Sequence, residues 1–135
     1  MPEMTEAELI AEAERFGRAL PPGSVVYLEG ELGAGKTTAV RALARGLGVD
    51  ESTSSPTYAL VHRYAGRRGP VFHLDCFRLR APAEAADLDW EGLVGEGDAL
   101  LVEWPEQAAG WVPPATHRVR LAHVADPDRR AVEFA

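Results

Sequence analysis

The densest chemical pattern in the chain is Gly30-Glu31-Leu32-Gly33-Ala34-Gly35-Lys36-Thr37, with the spacing G-x-x-x-x-G-K-T. Gly30 and Gly35 permit backbone angles that aim successive N–H groups at one point, and Gly33 relaxes the loop further. Such a loop, opening a helix, binds phosphate oxygens through backbone donors and the positive end of the helix dipole. Lys36 reaches the β- and γ-phosphates, the Thr37 hydroxyl suits Mg²⁺, and Thr38 adds a phosphate contact. Of the 14 Lys and Arg residues only Lys36 is a lysine. A compact ammonium is thus kept at the one place where it must reach between phosphates.

A magnesium ion held by one hydroxyl needs at least one carboxylate, because this hard cation takes oxygen ligands and retains several waters. Asp75 and Glu103 each follow an apolar run and are the candidates, with the direct ligand left open between them. Ser55-Pro56-Thr57-Tyr58 lies between the loop's helix and the next strand, where a hydroxyl can sense the γ-phosphate. A plain Ser-Pro turn is the alternative. Trp90, Trp104 and Trp111 are read as core or interface residues.

The surrounding elements must bring these groups together. Thr5-Glu6-Ala7-Glu8 reads as a capping box opening a helix with Leu9, Ala13, Phe16 and Leu20 on one face, stopped by Pro21-Pro22-Gly23. Val25 to Leu28 is a short apolar run, as expected of a strand buried on both faces of a parallel sheet. A second helix runs from Lys36 through Val40, Leu43 and Leu47, ended by Gly46 or Gly48. Ser52 to Pro56 is a polar loop. Tyr58 to Tyr64 and Val71 to Leu74 form a hairpin at a sheet edge, Pro82 to Leu93 a helix, and Asp98 to Val102 a second buried strand. Arg118 to Val124 and Ala131 to Phe134 close the chain as a hairpin around Asp126-Pro127-Asp128. The expected architecture is a three-layer P-loop NTPase fold: a mainly parallel central sheet with antiparallel edge strands, residues 1–135 forming one domain. If the apolar strands are neighbours, the loop, Asp75 and Glu103 share the crevice at the strands' carboxyl ends.

The bulk properties narrow the class. A length of 135 residues suffices for one core. No apolar run is long enough to span a membrane, and the single cysteine, Cys76, excludes an internal disulfide and fits a cytoplasmic setting. A net charge of -7 argues against strong autonomous nucleic-acid binding, although Arg67-Arg68 and Arg129-Arg130 leave room for a local basic patch.

Four segments in order carry a resemblance: the loop from Gly30 to Thr38, Ser55-Pro56-Thr57-Tyr58, His73-Leu74-Asp75-Cys76-Phe77-Arg78-Leu79, and Val102-Glu103-Trp104-Pro105. Together they are similar to the bacterial TsaE family of tRNA threonylcarbamoyladenosine biosynthesis proteins, over nearly the whole chain. The resemblance implies a small ATPase that uses ATP and Mg²⁺. It also implies an association with the TsaB–TsaD pair, which supports threonylcarbamoylation of adenosine 37 in ANN-decoding tRNAs, the tRNA being met through that complex. It implies Thr37 and Glu103 as Mg²⁺ ligands and Asp75 as the acid needed for hydrolysis. The stretch Ser55, Thr57 and Tyr58 resembles a switch loop, and Thr5 and Arg129 match positions that border the nucleotide. Phe77 departs from the family pattern, where a Tyr is common. Two other readings stay open: a small-molecule kinase with Asp75 as general base, and a non-enzymatic nucleotide switch. Guanine recognition through an Asn-Lys-x-Asp element is excluded, because the only lysine lies in the loop.

Overall fold

The computed structural model describes residues 1–50, 61–108 and 110–135. In chain order they form β1 (Glu3–Thr5), α1 (Glu6–Ala19), β2 (Ser24–Gly30), α2 (Lys36–Gly46), β3 (Val61–Ala65), β4 (Pro70–Asp75), α3 (Trp90–Glu96), β5 (Ala99–Glu103), β6 (His117–His123) and β7 (Arg129–Phe134). The strands make one seven-stranded sheet in the order β1-β7-β6-β2-β5-β4-β3. Its centre is parallel, through β6–β2, β2–β5 and β5–β4, and its edges are antiparallel.

The central strands are apolar on both faces because both faces are covered. Leu28, Val26, Leu101 and Val119 pack with Leu9, Ala13, Val40 and Leu43 of α1 and α2. On the other side Val25, Phe72, Leu74, Leu100 and Val102 pack beneath α3 and short 3-10 turns. This is the expected three-layer P-loop fold. None of the described helices is long and apolar enough to cross a membrane.

Local chemistry sets the element ends. Thr5 accepts from the Glu8 N–H while Glu8 reaches back to the Thr5 N–H, the capping box expected of α1. The end of α2 is set by Gly48, at φ +90°, rather than Gly46. Its N–H donates to Arg45 O and that of Val49 to Ala44 O, a Schellman closure. The β3–β4 hairpin lies at the sheet edge as expected, and β6–β7 is the expected second hairpin.

Two expectations change. The helix expected over Pro82 to Leu93 is broken into a 3-10 turn (Pro82–Asp87) and α3. Leu88 is extended at ψ 144°, and Asp89 starts a new helix by accepting from the Gly92 N–H at 3.0 Å. An aspartate inside a helical pattern competes with the helix for that N–H, and here it wins. The strand β1 was not foreseen, since three residues carry no periodicity; it exists because β7 offers it an edge, with Thr5 opposite Arg129. Ser52 to Pro56 and the Tyr58 end of the first hairpin lie outside the described residues.

The helices α1 and α2 cross through glycines. A Cβ on Gly17 would stand 2.4 Å from the Leu43 carbonyl oxygen, and one on Gly46 would stand 2.2 Å from that of Glu14. Gly17→Ala gains helix propensity worth about 1 kcal/mol but forces two backbones apart, at about 1–3 kcal/mol. The backbone clash dominates: urea unfolding of Gly17→Ala is expected at a lower midpoint with an unchanged m-value.

Candidate functional site

The site is made by register. Leu28 of β2 is paired with Glu103 of β5, and Glu103 with Asp75 of β4. The parallel strands β5 and β4 therefore end level, β2 runs two residues further to Gly30, and the glycine loop, Glu103 and Asp75 open into one crevice. The crevice has a volume of about 300 Å³ and is also lined by Lys36, Thr37, Thr38, Trp104 and Arg130.

The loop requires its glycines. A Cβ on Gly30 would lie 2.3 Å from the Leu121 carbonyl oxygen of β6, so the chain can leave β2 here only without a side chain. Gly35 has φ +106° and stands at the N-cap of α2, which no side chain caps. The first-turn N–H groups of this eleven-residue helix are thus left to an external acceptor, the arrangement that binds anions.

Lys36 is only 6% exposed. Its Nζ donates to the carbonyl oxygens of Gly30 and, at 2.9 Å, Glu31, and lies 4.0 Å from the centroid of the Trp104 ring. Burial pulls the ammonium's pKa below the ordinary lysine value, against the opposing pull of Glu103, Glu106, Asp75 and Glu31. Trp104 adopts φ +55°, the only non-glycine residue with positive φ among those described, and Phe77 packs on it at 5.1 Å. The turn at Trp104 lays the indole under Lys36 immediately after the strand that carries Glu103.

The two carboxylates differ. Glu103 is 4% exposed, and its Oε2 is 2.7 Å from His73 Nε2. Asp75 is more open; its Oδ1 accepts from the Phe77 N–H at 3.0 Å, starting a 3-10 turn over Cys76–Arg78. On the far flank Arg130 reaches Gly35: its Nη1 would be 2.8 Å from a Cβ there, and its buried Nε has no hydrogen-bond partner among the described residues.

The donor set fits a cation that arrives with phosphate. Thr37, Glu103 and Asp75 offer hard oxygens around the helix N-terminus. No cluster of three or more His, Cys, Asp or Glu able to cage a metal occurs among the described residues. Mg²⁺ is held in this way by few protein ligands together with phosphates and waters.

The model of the threonylcarbamoyl adenosine biosynthesis protein TsaE family matches residues 4–132. The chain belongs to the TsaE family. A tRNA threonylcarbamoyladenosine biosynthesis protein TsaE of Nostoc sp. (strain PCC 7120) is 39% identical over 123 residues, covering 88% of this chain and 74% of the relative. One from Treponema pallidum is 39% identical over 113 residues, covering 84% and 83%. A crystal structure of YdiB from Bacillus subtilis superposes with a TM-score of 0.74 at 25% identity, covering 98% of this chain and 84% of that one.

Set against the TsaE resemblance, the crevice gathers Leu32, Gly33, Gly35, Lys36, Thr37, Thr38, Asp75 and Glu103, while Glu31 contributes its carbonyl to Lys36. Ala34 is buried within the loop, its N–H bonded to Glu31 O. Ser55, Thr57 and Tyr58 lie outside the described residues. Thr5 and Arg129 are not among the lining residues. Thr5 caps α1, and Arg129, opposite it on β7, stands 4.0 Å from Glu8. The arginine at the crevice is Arg130. The alternation of β7 carried that signal, since Val132 and Phe134 pack toward α1 and α2 and Arg130 shares their parity. Trp104 lines the crevice instead of serving only as core, while Trp111 is exposed and Trp90 donates its Nε1–H to Ala85 O. His73 was visible only as part of a motif.

Cys76 follows Asp75 but faces the opposite side of the sheet, wholly buried. Burial first, then the carboxylates of Asp75, Glu106 and Glu103, push its thiol up to about 12. At pH 8 the native protein is expected to resist iodoacetamide, and the urea-unfolded chain to be alkylated fully, as mass spectrometry would show.

Proposed function

We propose that the chain binds ATP with Mg²⁺ in this crevice and hydrolyses it slowly. In this reading it works in the cytoplasm with TsaB and TsaD in forming N6-threonylcarbamoyladenosine at position 37 of ANN-decoding tRNAs. The observation that carries the reading is the register of β2, β5 and β4, which places an uncapped helix N-terminus, a buried lysine and two carboxylates around one space. Membership of the TsaE family supplies the pathway.

The residues have separable tasks. Backbone N–H groups of Gly33 and of Gly35 to Thr38 hold phosphate oxygens, and Lys36 exchanges the carbonyls of Gly30 and Glu31 for the β- and γ-phosphates. Thr37 and Glu103 hold Mg²⁺, which when bound neutralises charge on the phosphate oxygens. Asp75 orients the attacking water and receives its proton as the bond to the leaving oxygen breaks, giving ADP and phosphate. Arg130, beside Gly35 with its Nε unpaired, adds positive charge at the phosphate flank. The turnover is slow because Lys36 starts bound to its own loop and to Trp104, and because among the described residues no arginine besides Arg130 lines the crevice. TsaB and TsaD would complete the site.

ATPase turnover measured with and without TsaB and TsaD tests the proposal: turnover is expected to rise when both are present, and an unchanged rate would count against it. Rapid phosphorylation of a small acceptor would favour a kinase, and binding without hydrolysis under all conditions a switch. Lys36→Ala is expected to abolish nucleotide binding by calorimetry. Asp75→Ala is expected to keep binding and lose turnover by about 100-fold or more.

A further inference from the structure

His73 has no task in the reading above, yet its side chain is hydrogen-bonded to the buried carboxylate of Glu103. It lies two positions before Asp75 on β4, so the pleat puts both on the face covered by α2. Its Nε2 is 2.7 Å from Glu103 Oε2. An ionised carboxylate only accepts hydrogen bonds, so Nε2–H is the donor, and a carboxylate as buried as Glu103 requires one. The imidazole is itself held. His62, its register partner on β3, stacks on it at 5.7 Å and 28°, and Tyr64 stacks on His62 at 6.4 Å and 13°.

Glu103 has a competing partner. Among the nearby carboxylates it acts most strongly on the Lys36 ammonium. A glutamate free to turn would pair with that ammonium, and the pair would remove from the crevice both the charge that meets phosphate and the oxygen that meets metal. We infer that His73 is a positioning residue: its hydrogen bond to Oε2 keeps the Glu103 carboxylate turned away from Lys36 and available to a divalent cation that enters with nucleotide. The inference rests on the proposed ATP–Mg²⁺ reading. Partners of metal ligands of this kind act by fixing ligand orientation, and their removal typically weakens metal binding 10–100-fold.

Two amide variants separate reach from packing. His73→Gln puts an N–H donor at the distance of Nε2, and His73→Asn carries the same amide one methylene too short. Mn²⁺ binding in the presence of ADP, followed by electron paramagnetic resonance, is read beside ADP affinity in EDTA, with circular dichroism to confirm folding. For His73→Asn, Mn²⁺ binding is expected to weaken by about 10–100-fold while ADP affinity in EDTA stays within about twofold; His73→Gln is expected to recover most of the loss. His73→Asn binding Mn²⁺ like the wild type would overturn the inference, as would a folded His73→Gln no better than His73→Asn. Absence of an ADP-dependent Mn²⁺ site in the wild type would instead overturn the ATP–Mg²⁺ reading beneath it.

Discussion

The site depends on strand register. Leu28, Glu103 and Asp75 stand side by side across three parallel strands; Glu103 and Asp75 are each followed at once by a turn away from the sheet, while β2 runs on beside β6 to Gly30. A slip of one residue in β4 or β5 would reverse the parity of its side chains, sending Asp75 or Glu103 to the face beneath α3 and an apolar residue into the crevice. The register is therefore enforced by the apolar positions behind the site. Val71, Leu101 and Val26 fit the face under α1 and α2, while Phe72, Leu74, Leu100 and Val102 fit the other. Core packing several residues away from the crevice is what aligns its polar groups.

The same alignment creates an electrostatic problem. Lys36 and Glu103 are both almost wholly buried within a few ångströms of one crevice, and charges at such depth require partners. The fold satisfies each separately. Loop carbonyls and an indole face take the ammonium, and an imidazole takes the carboxylate. Each group is thereby stable without being locked to the other, as a polyanion with its counter-ion would require on entering.

Much of this was legible in the chain. The glycine loop, the capping box at Thr5 and the apolar runs of β2 and β5 are local patterns whose physics acts within a few residues. They appear where the spacing placed them, and the expectation that Asp75 and Glu103 share a crevice with the loop followed from strand ends alone. What was missed is non-local. The strand β1 exists only because β7 lends it an edge. The break at Leu88 depended on whether Asp89 would cap or continue a helix. The choice between Arg129 and Arg130 required knowing which face of β7 is covered, and the contact of His73 with Glu103 joins residues thirty positions apart. Trp104 was hidden by its backbone, since a positive φ at a bulky residue is disfavoured and has no signature in composition.

That turn at Trp104 gives the molecule a built-in optical probe. Its indole touches the ammonium that, on the proposed reading, moves when phosphate arrives, whereas Trp111 stands exposed and Trp90, donating its Nε1–H to Ala85 O, does not line the crevice. Emission from three tryptophans would then divide into two sources away from the crevice and one that loses the cation from its face. If the loop takes phosphate as proposed, its loading could be followed in the unlabelled protein, in real time, through light from the residue beside the buried glutamate.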